Sequence, residues 1–183
     1  TNAAGVVALA GELGFDPFRA AAGVAAFTGT GRRFEHRGVA KGVSFIDDYA
    51  HHPTEVAATL AAASGWEGGR VVAVFQPHLY SRTQRLADRF GAALAVADVV
   101  VVTDVFAARE DPIEGVDGTL ISAAARRHGA TDVVDAPDRS TLVEVVAALI
   151  RPGDLVLTMG AGDVTAVAEE LGAVLPGAVI ETP

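Results

Sequence analysis

VVAVFQPHLYSRTQRLADRFGAALAVADVVVVTDVF, residues 71–106, reads as strand, helix, strand. Val71 to Phe75 and Val99 to Val102 are unbroken apolar runs, mostly β-branched, and a run without polar alternation implies a strand buried on both faces. Between them Leu86, Phe90 and Leu94 recur at helical spacing, with Ser81 placed as a candidate N-cap. Such a unit builds a parallel sheet covered by helices.

The same rhythm extends in both directions. GVSFID (42–47) precedes a helix from Pro53 to Ala63. Thr119 to His128 reads as a helix, followed by DVVDA (132–136). A helix from Asp138 to Ile150 follows, with Asp138 as its cap ahead of Leu142, Val145 and Leu149. DLVLTM (154–159), a helix from Asp163 to Leu171 and a last strand near Val179-Ile180-Glu181 complete the pattern. The expected fold is α/β and Rossmann-like, with about six mostly parallel strands flanked by helices. Ahead of it, Val6, Leu9, Ala10 and Leu13 are closed by Gly14, and Pro17 opens a second helix through Val24 and Phe27, giving a helical hairpin. Thr28-Gly-Thr-Gly31 reads as a hinge, so residues 1–28 and 29–183 are expected to form separate domains. Two helices cannot enclose a core alone, so the hairpin is expected to pack against something else.

Composition narrows the function. The 183 residues are 50% hydrophobic and 20% charged, as in an ordinary globular chain of one or two domains, and no cysteine is present to form a disulfide or thiolate site. Fourteen basic against 23 acidic residues give a net charge of −9, which argues against nucleic acid as a partner. Thirteen of the basic residues are Arg and Lys41 is the single Lys. No apolar run reaches the roughly 18 residues of a membrane span, and no basic leader opens the chain, which together point to the cytoplasm. There is no GxxxxGK[ST], so these residues hold no Walker loop for ATP phosphates.

In an open parallel sheet ligands bind beyond the carboxyl ends of the strands, and those segments are unusually polar here: DDYAHHPTE (47–55), QPHLYSRT (76–83), DVFAAREDP (104–112) and GAGD (160–163). Asp47 and Asp48 can serve chemistry or simply favour a helix N-terminus, and His51 and His52 can be ligand groups or loop residues beside Pro53. Asp48, His51, His52 and His78 do not have the spacing of a zinc motif, and no metal site is expected. Arg85 and Arg89 suit a solvated helix face, whereas Arg82, in the first turn, opposes the helix dipole and calls for an anionic partner. GAGDVT with Glu181 imitates a dinucleotide fingerprint, but Thr165 occupies the third glycine position. A turn offering N–H groups to a carboxylate or phosphate is the reading favoured.

DDYAHHPTE and FQPHLYSRT (75–83), followed in order by DVFAAREDPIEGVDG (104–118) and GAGD and preceded by GRRFE (31–35), resemble the Mur ligases of peptidoglycan synthesis. Within that family the likeness is to the branch joining L-alanine to UDP-N-acetylmuramate and to its murein-recycling relatives. The resemblance implies an ATP- and Mg2+-dependent ligase of which residues 29–183 form the C-terminal domain and the hairpin the end of a central ATPase domain. The parts that bind the UDP-sugar and most of the ATP and Mg2+ are not in this chain, so the chain alone is expected to be inactive. By motif, Asn2, Arg33 and Asp48 would face ATP. Tyr49, His51 and Arg82 would surround L-alanine, with His78, Gly160, Gly162 and Asp163 nearby. His51 is placed as a positioning residue, and no residue of this chain is assigned as catalytic. Leu79 departs from relatives with Arg at that place, which shifts carboxylate recognition onto Arg82. A murein tripeptide ligase and a stand-alone Rossmann-type binding domain are the alternatives.

Overall fold

A computed structural model describes residues 2–27 and 30–175, and the backbone of 179–180. The chain divides into two compact units, Thr1–Gly31 and Arg32–Pro183. Thr28, Gly29 and Glu181 lie outside the described residues, and with them the expected break after residue 28 and the acidic end of the dinucleotide-like pattern.

The first unit is the helical hairpin, α1 (Asn2–Glu12) and α2 (Pro17–Ala25). Gly14 makes the turn at φ +80°, and Asp16 caps α2 by accepting from Phe18 N at 2.9 Å ahead of Pro17 in the first helical position. Neither helix has a buried residue.

The second unit is a three-layer α/β/α sandwich. Its strands are β1 (Glu35–Ala40), β2 (Val43–Asp48), β3 (Val71–Phe75), β4 (Val99–Thr103), β5 (Val133–Ala136), β6 (Leu155–Met159) and β7 (Val179–Ile180). They lie in the order β5-β4-β3-β6-β2-β1-β7. The five from β5 to β2 are parallel, while at one edge β1 pairs antiparallel with β2 and β7 antiparallel with β1. The expected mostly parallel Rossmann-like sheet is therefore present. β1 joins β2 through Lys41 and Gly42, both at positive φ (+49° and +76°), the conformation that a two-residue hairpin needs to match strand twist.

Three helices, α3 (Pro53–Ala63), α4 (Tyr80–Leu94) and α5 (Thr119–Arg127), cover one face with Val56, Leu60, Phe90, Leu94 and Ile121. On the other face α6 (Leu142–Leu149) and α7 (Val167–Val174) supply Leu142, Val146, Val167 and Leu171. The central strands are buried throughout, as their unbroken apolar runs required. α4 and α5 meet at Gly91, where a Cβ would stand 2.6 Å from Ala125 N, so only glycine fits.

Both expected caps are corrected. α4 starts from Leu79, with Ser81 already inside the first turn, and α6 starts from Thr141, with Asp138 instead closing a preceding turn by accepting from Ser140 N at 2.8 Å. A Ser or Asp upstream of an apolar period can satisfy a local turn as readily as a helix, so the period alone does not locate the cap. The stretch from Asp163 likewise begins as a 3-10 turn, Asp163–Ala166, before α7.

At the amino end of the sheet Asp154 accepts from Arg70 Nη2 at 2.8 Å, Arg70 Nε at 3.2 Å and Arg151 N at 2.7 Å. Burial pushes its carboxyl pKa up, but the Arg70 and backbone hydrogen bonds outweigh this and hold it below the ordinary value of 3.8. A carboxyl lowered by folding stabilises the native state above the unfolded pKa and loses that contribution as pH falls through the folded value. Asp154→Asn is therefore expected to lower stability near neutrality and to weaken the pH dependence of unfolding below about pH 4. Urea titrations of both proteins between pH 2 and 7 check this, parallel acid limbs being the contrary result.

Candidate functional site

The carboxyl ends of β2, β6, β3 and β4 lie side by side in the sheet, so four polar segments scattered over the sequence share one edge. Its floor is a buried polar joint. Asp47, fully enclosed, accepts from Arg32 Nε at 2.9 Å, Thr158 Oγ1 at 2.8 Å and Thr165 Oγ1 at 2.8 Å, while Arg32 Nη2 donates to Gly160 O at 2.8 Å. One carboxylate thus ties the entrance of the unit to β6 and the turn beyond it.

Asp48 also faces inward. Its Oδ1 accepts from Ala50 N at 2.9 Å, and its Oδ2 from Phe34 N at 2.9 Å and Thr59 Oγ1 at 3.1 Å. With both oxygens used inside the fold, its direct service is to hold the 32–34 segment, where Arg32 and Phe34 stand at positive φ. His52 is the N-cap of α3, its Nδ1 accepting from Thr54 N at 3.3 Å, and Glu55 completes the capping box. The loop reading thus holds for His52.

Four rings run along the edge. Tyr49 and His51 meet edge to face at 5.0 Å between centroids, His51 and His78 at 6.1 Å, and His78 stacks on Phe106 at 5.8 Å. Arg32 and Arg33 lie over the Tyr49 ring at 4.9 and 5.6 Å. His51 Nδ1 is 2.8 Å from Tyr49 O, and since a carbonyl only accepts, this nitrogen carries a proton, leaving Nε2 of the neutral ring with a free lone pair. Burial first, then the Arg82 charge and that of the His51 ring when it is protonated, hold the His78 pKa below its ordinary 6.5 against an opposing pull from Glu110. His78 therefore favours the neutral state.

Arg82, in the first turn of α4, spans toward this row, its Nη1 donating to His51 O at 3.3 Å. Arg33 is exposed, and besides lying over Tyr49 it makes a long 3.9 Å approach to Glu55. Gly160 adopts φ +151°, and a Cβ there would stand 2.8 Å from Gln76 O. At Gly162 a Cβ would strike the Phe106 ring at 2.6 Å. Gln76 bridges to this turn, donating to Asp163 Oδ1 at 2.7 Å and accepting from Val164 N at 3.1 Å. Asp163 is thus already engaged. Asn2 belongs to the first unit, where it is exposed at the start of α1.

Tyr49, His51, His78, Arg82 and the 160–163 turn are therefore on one edge, with Arg33 at one end of it. Arg32, Gln76, Phe106 and Glu110, to which the sequence reading gave no role, complete the arrangement, and Asp47, weighed there beside Asp48, forms its floor. Their position just past a strand end, or beside Arg33, was the available signal. The side-chain partners that place them lie 15 to 128 residues away and cannot be read along the chain.

A Rossmann-like sheet bearing a cation-flanked ring row at its carboxyl edge is an α/β domain whose polar groups gather where ligands bind in folds of this class. The chain belongs to the Mur ligase family: residues 32–162 match the model of the Mur ligase, glutamate ligase domain. It is similar to the UDP-N-acetylmuramate–L-alanine ligase of Thermobifida fusca (strain YX), 53% identical over 173 residues, covering 90% of this chain and 36% of that protein. The ligase of the same description from Mycobacterium sp. (strain JLS) is 52% identical over 178 residues, covering 95% and 36%. Among solved structures, the UDP-N-acetylmuramate–alanine ligase of Thermotoga maritima superposes with a TM-score of 0.72 at 28% identity, covering 93% of this chain and 36% of that one. A murein peptide ligase from Psychrobacter arcticus shares the fold, with a TM-score of 0.70 at 22% identity over 94% of this chain and 36% of that one. The chain thus spans about a third of the length of these relatives.

Proposed function

We propose that this chain is the amino-acid-binding C-terminal domain of a cytoplasmic, ATP-dependent ligase that joins L-alanine to UDP-N-acetylmuramate, with the hairpin the end of its central ATPase domain. The observation that carries the reading is Arg82 set against the Tyr49–His51–His78 ring row. A guanidinium recognises a carboxylate by charge-assisted hydrogen bonds, and the lone pair at His51 Nε2 offers an acceptor to an amine. A group with one carboxylate and one amine is an amino acid.

In such a ligase ATP activates the lactyl carboxylate of UDP-N-acetylmuramate as an acyl phosphate, the L-alanine amine attacks the acyl carbon, and phosphate leaves. This chain's residues hold the amine and exclude water, which would otherwise hydrolyse the acyl phosphate. Arg82 and His78 orient the amino acid, with the Gly160–Asp163 turn alongside and His51 near the amine as a positioning residue. Arg33, exposed and loosely paired, is free to meet a nucleotide phosphate or base, and Asn2 would meet adenine from the hairpin. Asp48, expected to face ATP, supports that side indirectly by holding the 32–34 segment. Among the described residues no group of three or more His, Asp or Glu is placed to hold a metal ion, so the Mg2+ implied by the family would be bound elsewhere in the longer protein.

Phosphate release from ATP tests the reading in the full-length protein and in this chain alone. Turnover by the full-length protein that requires both UDP-N-acetylmuramate and L-alanine, with none by the isolated chain, is the expected result. Turnover with a murein tripeptide in place of L-alanine would assign a recycling ligase, and none with either would favour a binding domain.

A further inference from the structure

The start of α4 is built on an unfavourable backbone. Leu79 stands at φ +73°, ψ 129°, a conformation L-residues rarely adopt, and supplies no side-chain cap. Arg82 adds a positive charge where the helix dipole is already positive. Both costs fall on the turn that presents Arg82.

The loop after β4 offsets them. Phe106 N donates to Pro77 O at 2.8 Å and Leu79 N to Phe106 O at 3.0 Å, a short parallel bridge that fixes the 77–79 backbone. Four residues on, the Glu110 carboxylate accepts from Ser81 N at 2.9 Å and from Ser81 Oγ at 2.6 Å. A cap that the local sequence lacks is thus provided from 29 residues away. Hydrogen bonds from the Ser81 hydroxyl and backbone, with a smaller pull from the Arg82 charge, hold the Glu110 carboxyl below its ordinary range, so it is an anion at neutral pH. Because its oxygens are spent on Ser81, it balances the charge of the turn while leaving the Arg82 guanidinium to an incoming carboxylate.

We propose that Glu110 is a positioning residue for the amino-acid substrate, capping α4 through Ser81 so that Arg82 and His78 are held at the edge in binding geometry. The proposal rests on the ligase reading. It assigns to Glu110 an effect on amino-acid recognition and none on the nucleotide side, from which it is separated by the ring row.

In the full-length ligase Glu110→Ala is expected to raise the KM for L-alanine about tenfold, with kcat and the KM for ATP changed less than about twofold. Glu110→Gln, which keeps an acceptor oxygen but not the charge, falls between it and the parent. Ser81→Ala shifts the same KM, and the double variant Ser81→Ala, Glu110→Ala is no worse than Glu110→Ala, since both act through one contact. An alanine KM within twofold of the parent in Glu110→Ala overturns the proposal, as does a parallel rise of every KM with a fall in Tm. A readout independent of turnover is the His78 ring titration by NMR in this chain. His78 is faced by Arg82 and His51, which disfavour its proton, and by Glu110, which favours it, so Glu110→Gln moves its midpoint to lower pH. An unmoved midpoint overturns the placement of Glu110. Inactivity of the unaltered full-length protein with L-alanine would instead overturn the ligase reading.

Discussion

Arg82→Ala in the full-length ligase is expected to raise the KM for L-alanine about 100-fold while the KM for ATP stays within about twofold. A charge-assisted hydrogen bond to a carboxylate contributes about 1.5–3 kcal/mol, a factor of roughly 10 to 150, and the upper end applies where no other cation can substitute. The neighbouring cations are otherwise placed: Arg85, one turn on along α4, turns back to Ser81 O at 3.3 Å, and the Arg32 guanidinium is engaged by Asp47 and Gly160 O, while position 79 at the start of the helix is Leu. Arg82→Lys should recover only part of the loss, because an ammonium on a flexible stem cannot reproduce the planar fork. Steady-state kinetics with each substrate varied in turn check this; an unchanged L-alanine KM would remove Arg82 from the site.

Asp47→Ala is expected to destabilise the second unit by about 3 kcal/mol, lowering the urea midpoint by roughly 1.5 M. The substitution strips Arg32 Nε, Thr158 Oγ1 and Thr165 Oγ1 of their acceptor at once. Thr158 is fully buried and its remaining contact, to Ile46 O, is long at 3.3 Å, so its hydroxyl is left poorly satisfied. Arg32 is partly exposed and can recover water, which keeps the cost below that of stranding a fully buried cation. Asp47→Asn, retaining an acceptor oxygen, should cost less. A midpoint within 0.3 M of the parent, read by tryptophan fluorescence or circular dichroism, would mean that the joint contributes little beyond what water provides in its place.

Much of the site was legible for one physical reason. Parallel strands buried on both faces have only their ends free for polar chemistry, so residues following VVAVF or LVLTM are exposed to ligand wherever the sheet order places them as neighbours. On that basis His51, His78, Arg82 and the Gly160–Asp163 turn are expected on one edge, and that is where the fold puts them. His52 shows the limit of the argument. It sits in the same segment but spends its ring on Thr54 N as a helix cap, a use that its residue type does not announce. Asp48 shows the same limit, since its two oxygens are consumed by Phe34, Ala50 and Thr59 within the fold. Ser81, expected as a cap, instead receives one from Glu110.

The alternation of apolar runs and helical periods by itself determined the Rossmann-like class, the parallel strands and the hairpin ahead of them, because burial on two faces and the 3.6-residue period are properties of neighbouring residues. The insertion of β6 between β2 and β3, and the joining of Asp47 to Arg32, Thr158 and Thr165, were decided only by tertiary structure, as was the capping of α4 by Glu110. Each is a contact between residues far apart in the chain. Its energy depends on distance, orientation and exclusion of water, which exist only once the sheet has assembled.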